Sequence, residues 1–205
     1  YNMLTIIDSN VLNFVPQVDH TPIQINRIHQ SIVYRAIAAG ILTEDRKCNP
    51  CPHCDWENYL ASQPAWVQTL LCQIKLQLPI EKILEIYDKE GEFVMVSDGS
   101  EKEWAMTFGW ILAVRSGMRL AKAAGPCSGR GSSLRAESAG MLAISLFVGL
   151  LFQYFHRTEV KVICISDNAE LIKRQIEHLE YDIPYTNMSL KAEFDLTEQI
   201  YLSHK

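Results

Sequence analysis

FVMVSDGS, residues 93–100, is where the chain changes character, and the fold reads outward from it. Phe93 to Val96 is a short apolar strand pattern that ends on the turn formers Ser97-Asp98-Gly99-Ser100. Trp104 to Val114 is rich in β-formers, Arg115-Ser116-Gly117 is a hairpin turn, and Met118 to Ala124 pairs back. A turn-rich stretch from Gly125 to Gly131 leads to Ser132 and Ser133, good N-cap types for the apolar helix that follows. Val160 to Ser166, apolar except for Lys161, predicts a strand buried on both faces and ends on Asp167-Asn168. Helices are predicted from about Ala169 to Leu179 and over Leu190–Leu202. Three antiparallel strands, a helix, a parallel-type strand and further helices make an α/β fold with a mixed sheet.

Ahead of Phe93 the pattern is helical. Ile25, Ile28, Ile32, Val33, Ala36 and Ile37 recur at helical spacing; after Pro64 come Trp66, Leu70, Leu71, Ile74 and Leu78. Ile80, Ile83, Leu84 and Tyr87 continue it. Residues 1–90 therefore read as a mainly helical connector with a Cys-rich loop at 48–54, and residues 91–205 as a second domain. In that loop Cys48, Cys51 and Cys54 sit three apart, which suits three ligands of a structural Zn²⁺. The fourth ligand would have to be His20, His29 or Cys72, and a proline-rich loop with free thiols is the favoured reading.

The 205 residues are 48% hydrophobic and 21% charged with a net charge of −5, which excludes a disordered chain and a polycation. Six cysteines are too few for a disulfide-stapled mini-protein, and no signal peptide is visible, so an intracellular protein, cytoplasmic or nuclear, is expected. Ser138 to Phe155 carries no charge over 18 residues, the lower limit for a membrane span. Its serines, glycines and Gln153 favour a core helix, and no membrane partner is expected.

Asp98 and Asp167 each follow an apolar strand, and Glu137 lies early in the intervening helix. Singly, these are an ordinary turn acid, an N-cap and a first-turn acid. Brought to one sheet edge, three carboxylates repel unless a divalent cation neutralises them, and oxygen-only ligands suit Mg²⁺ or Mn²⁺. Two such ions about 4 Å apart hydrolyse phosphodiesters.

VSDGS at 96–100, SSLRAESAGMLA at 132–143 and ISDN at 165–168 resemble the three leading motifs of type 1 ribonuclease H, most nearly the version that ends reverse transcriptases of retrotransposon-type elements. The resemblance spans roughly Phe93 to Lys205 and implies a ribonuclease H-like fold. It also implies cleavage of the RNA strand of RNA/DNA hybrids within a retroelement polyprotein. It makes Asp98, Glu137 and Asp167 the catalytic metal ligands for two Mg²⁺ ions, Mn²⁺ being an alternative, with Asp98 bridging both. Gly99, Ser100, Ser132, Ser133, Arg135 and Asn168 would face the nucleic acid. The family's fourth carboxylate lies beyond a fifth strand, which would begin near Leu202–Lys205, so a domain truncated at its C-terminal end is expected. Asp195 falls in the helix before that strand and is not promoted to catalyst.

Charge agrees with such a partner. From Trp104 through Ala136 there is no Asp or Glu, whereas Arg115, Arg119, Lys122, Arg130 and Arg135 occur there. Arg119 and Arg130 are the expected phosphate contacts. The alternatives are a catalytically inactive nucleic-acid-binding or structural remnant of the same fold, and a strand-transferring recombinase. The early helix Glu with Arg-Ala before it argues against the recombinase.

Overall fold

The computed structural model describes the strands between residues 5 and 44 and residues 55–204, apart from 72, 104, 130 and 181–186. Two compact units divide the chain, Tyr1–Thr69 and Leu70–Lys205. The first contains an antiparallel sheet of β1 (Thr5–Asp8), β2 (Val11–Pro16), β3 (Ile23–Asn26) and β4 (Leu42–Glu44). β2 is its hub. It pairs with β1, with β3 through Val11–Asn13 and with β4 through Phe14–Pro16. These strands occupy part of the segment expected to be mainly helical, and Ile25 lies in β3, whereas Ile28, Ile32, Val33, Ala36 and Ile37 lie outside the described residues. Repeated β-branched residues satisfy a strand as readily as a helix over so short a run, and pairing partners decide. Among the described residues the first helices are α1 (Trp56–Ala61), capped by the Asp55 carboxylate on the Asn58 N–H at 2.8 Å, and α2 (Ala65–Leu71). Cys48, Cys51 and Cys54, with His20, His29 and Cys72, lie outside the described residues.

The second unit is a five-stranded mixed sheet. Its strands are β5 (Lys75–Leu76), β6 (Phe93–Lys102), β7 (Ala105–Val114), β8 (Arg119–Cys127) and β9 (Val162–Ile165), in the order β5-β8-β7-β6-β9. β6, β7 and β8 form an antiparallel meander, and β9 runs parallel to β6, from Phe93↔Val162 to Val96↔Ile165. This is the ribonuclease H-like arrangement expected from the motifs. The unit begins near residue 70, not 91. β5 joins the sheet by pairing Lys75 with Lys122. α3 (Ile80–Glu90) packs Tyr87 against Phe93 and Phe152, with ring centroids 4.7 and 4.9 Å apart. Asp88 accepts two hydrogen bonds from Arg157, at 2.7 and 2.8 Å.

The apolar helix is α4 (Ser133–Tyr154), and its most apolar 18-residue window is 83% buried, so it is a core helix. It lies on the sheet face formed by Met106, Phe108, Trp110, Leu112 and Val114; Trp110 stacks on Phe147 at 5.4 Å. Each such fully buried side chain contributes roughly 1.5–3 kcal/mol of transfer free energy. α5 (Ala169–Glu180) and α6 (Phe194–His204) complete the unit, the latter after a 3₁₀ turn at Met188–Leu190. One strand differs from its reading. β9 is an edge strand, half-exposed along its length with Ile165 47% accessible, although its apolar run suggested burial on both faces. An unbroken apolar run does not distinguish the two positions.

Candidate metal centre

Asp98 lies inside β6, not beyond its end, because β6 and β7 stay paired out to Lys102↔Ala105. What ends near it is the other neighbour. Parallel pairing stops at Val96↔Ile165, and Asp98 and Asp167 each lie two residues past that last pair. Both are exposed at one sheet edge, Asp98 on β6 and Asp167 in the turn after β9. Glu137, 4% exposed, reaches them from the second turn of α4. One carboxylate oxygen from each of the three lies within 4.8 Å of the others.

Gly99 makes this approach possible. A Cβ there would stand 2.5 Å from the Ala136 carbonyl carbon, 2.9 Å from the Ala136 Cβ, and closer still to the Glu137 nitrogen. Helix and strand backbones touch where only glycine fits. The Gly99 N–H also donates to the Glu137 carboxylate. Burial raises the Glu137 pKa above the ordinary carboxylate value; the Gly99 hydrogen bond opposes that, and Asp167 and Asp98 push it further up. The buried Glu137 Oε2 has no hydrogen-bond partner. A buried, unpartnered oxygen on a carboxylate that clusters with two others suits a hard divalent cation, so the residues fit Mg²⁺ or Mn²⁺.

The residues expected to meet nucleic acid divide into groups. Gly99 serves packing, as above, whereas Ser100 lines an open cleft of about 550 Å³ beside Asp98. Ser132 caps α4, its Oγ accepting from the Arg135 N–H at 3.3 Å, while Ser133 is exposed on the first turn. Asn168 caps α5 by accepting from the Leu171 N–H at 3.0 Å. Both caps are the ordinary local reading of those residues. Arg135 is turned inward. It is 6% exposed and held by Glu193 and Asp195. Arg130 lies outside the described residues. Arg115 pairs with Glu92 at 3.1 Å.

Arg119 and Lys122 stay exposed, three residues apart on β8. In a regular strand that spacing would send them to opposite faces. A register shift against Leu112/Ala113 buries both Leu120 and Ala121 and brings Arg119 back to the side of Lys122. Cross-strand partners share a face, so Asp98 with Gly109 and Ala124, and Lys122 with Ile111 and Lys75, all belong to the sheet face opposite α4. Two like charges, Lys75 and Lys122, sit directly opposite each other on this face. Sequence reading missed Lys75, because a two-residue strand leaves no periodic signal. It also missed Gln73, which lines the cleft together with Asp98, Thr107 and Pro126.

No protein-family model matches this chain, and no curated protein does either. Among solved structures it is similar to ribonuclease H1 of the archaeon Halobacterium salinarum NRC-1, at 15% identity over 55% of this chain and 79% of that one, with a TM-score of 0.38. It is also similar to the N-terminal RNase H domain of a Mycobacterium tuberculosis protein, solved as a fusion with maltose-binding protein, at 16% identity over 55% and 73% with a TM-score of 0.38. A third is LC11-RNase H1, solved in complex with an RNA/DNA hybrid, at 18% identity over 54% and 77% with a TM-score of 0.38.

Proposed function

We propose that the Leu70–Lys205 unit hydrolyses the RNA strand of RNA/DNA hybrids, with Asp98, Glu137 and Asp167 holding divalent ions, Mg²⁺ or Mn²⁺, inside a retroelement polyprotein in the cell interior. The observation that carries this reading is the convergence of three carboxylates from β6, α4 and the β9–α5 turn to within 4.8 Å. Like charges so close raise one another's pKa, and a cation among them relieves that repulsion while all three stay ionised. When bound, two such ions supply an activated water and stabilise the leaving oxygen.

The chain's own residues do the rest. The Gly99 N–H holds the Glu137 carboxylate, whose Oε2 is left without a hydrogen-bond partner. Asp98 and Asp167, both exposed, keep the cluster open to an incoming backbone. The cleft beside Asp98 leads over Gly109, Ala124 and Gly125, where small residues let a sugar–phosphate strand lie close to the sheet. Arg119, Lys122 and Lys75 on the same face attract phosphates without reading bases, as an A-form-like hybrid requires. The Asp-Gly-Ser, Arg-Ala-Glu and Ser-Asp-Asn segments support the hybrid as substrate.

The test is cleavage of a labelled RNA/DNA hybrid by the full chain, first shown to be folded and monomeric. The RNA strand of the hybrid should be cut and single-stranded RNA spared. Mn²⁺ should support more cleavage than Mg²⁺, because three carboxylates leave a weak site that the ion of higher intrinsic affinity fills first. Asp98→Asn should abolish cutting in both metals. A folded protein that neither cuts the hybrid nor binds Mn²⁺ would overturn the reading.

A further inference from the structure

Arg135 cannot play the part its place in the sequence suggests. It occupies the first turn of α4, where the helix dipole disfavours a cation, and it is almost fully buried. Such a charge persists only with partners, and Arg135 has three. Its Nε donates to the Ser128 carbonyl at 2.7 Å, its Nη1 to Glu193, and its Nη1 and Nη2 to the two Asp195 oxygens at 3.2 and 3.0 Å. Burial works against the guanidinium, yet the hydrogen bonds to Asp195 and Glu193 hold its pKa above the ordinary arginine value.

Two backbone irregularities accompany this arrangement. Glu193, just ahead of α6, has φ +56°, an uncommon conformation for a residue with a side chain. Gly129 has φ +117°, and a Cβ there would lie 2.9 Å from the Arg135 Cζ and nearer still to Nε. Strain is thus accepted on one side of the guanidinium, and on the other its close approach admits only glycine. Residues two apart on a helix do not face the same way, so Arg135 points toward α6 while Glu137 points to the carboxylate cluster.

We propose that Arg135, Glu193 and Asp195 form a positioning clamp that holds the first turn of α4 from the side opposite the cluster, and so sets where Glu137 stands relative to Asp98 and Asp167. Gly99 bears on that turn from the sheet, and the clamp supplies the opposing hold from α6. The inference rests on the metal-centre reading. It gives Asp195 a task that needs neither metal nor substrate contact.

The experiment measures Mn²⁺ affinity of the full chain by the loss of the free-ion electron paramagnetic resonance signal, with folding checked by near-ultraviolet circular dichroism. Asp195→Asn and Arg135→Gln should each weaken Mn²⁺ binding about 10-fold, the usual scale for losing a group that orients a ligand. The salt dependence of hybrid binding in Ca²⁺ should not change in Arg135→Gln, because Arg135 meets no phosphate. A salt slope lowered by roughly one unit would overturn the clamp and make Arg135 a phosphate contact. So would wild-type Mn²⁺ affinity in either folded variant. Should Arg135→Gln fail to fold on its stranded carboxylates, the neutral triple variant Arg135→Gln/Glu193→Gln/Asp195→Asn leaves no buried charge unpaired and decides in its place. Unchanged Mn²⁺ affinity there counts against the clamp, and a 10-fold loss supports it. If the wild-type chain itself binds no Mn²⁺, it is the metal-centre reading that falls.

Discussion

Replacing Gly99 by alanine adds a single methyl group at the point where β6 meets α4. The new Cβ would lie 2.5 Å from the Ala136 carbonyl carbon, whereas ordinary van der Waals contact begins near 3.4 Å. The neighbours are backbone, so they cannot rotate away, and the first turn of α4 must retreat by roughly 1 Å. Gly99 itself has no left-handed φ, so the effect is one of space and not of backbone conformation. Overpacking of this kind costs about 1–3 kcal/mol of stability. A misplacement of about 1 Å in a catalytic constellation costs on the order of 100-fold in rate. Urea denaturation of Gly99→Ala should therefore show the modest loss, and hybrid cleavage in Mn²⁺ the larger one. Hybrid binding in Ca²⁺ should stay within a few-fold of wild type, since Arg119, Lys122 and Lys75 are untouched. A folded Gly99→Ala protein that cuts the hybrid at the wild-type rate would refute the idea that this backbone contact places Glu137.

Glu137→Gln should stabilise the metal-free protein at pH 7 by about 1 kcal/mol in thermal or urea unfolding, because it removes a buried charge facing Asp98 and Asp167, while abolishing cleavage and stabilisation by Mn²⁺. Changing Lys75 and Lys122 together to Gln should flatten the salt dependence of hybrid binding by roughly two units of slope; an unchanged slope would return them to a solvated sheet face. His178 is buried between α5 and α6, stacked on Tyr201 at 5.3 Å, with Nδ1 3.3 Å from a Glu198 oxygen. Burial depresses its pKa from 6.5 to about 4, so the unfolded chain takes the proton first and stability falls as pH drops from 6.5 toward 4. The full loss is about 3 kcal/mol, and His178→Gln, which keeps a donor but does not titrate, should flatten that limb of the unfolding profile.

Local chemistry determined much of this protein. The β-rich meander, the Ser132 cap and the uncharged run of α4 depend on neighbours within a few residues, and each stands where those neighbours put it, whereas Asp98-Gly99-Ser100, turn formers by composition, are drawn into β6 by pairing with β7. The order strand, hairpin, helix with an early Glu, strand also brings Asp98, Glu137 and Asp167 together, since parallel strands and the helix between them share one edge. Tertiary structure decided whatever depends on distant partners. Arg135 reads as one more cation of a basic stretch until Glu193 and Asp195, 58 and 60 residues away, enclose it. Arg119 and Lys122 share a face only because a register shift against β7 rephases β8, and Lys75 joins them only because β5 finds β8 as a partner. The apolar run of β9 is the same whether one strand flanks it or two. The strands before residue 44 carry the same ambiguity, because β-branched residues suit both periodicities and cross-strand hydrogen bonds choose between them.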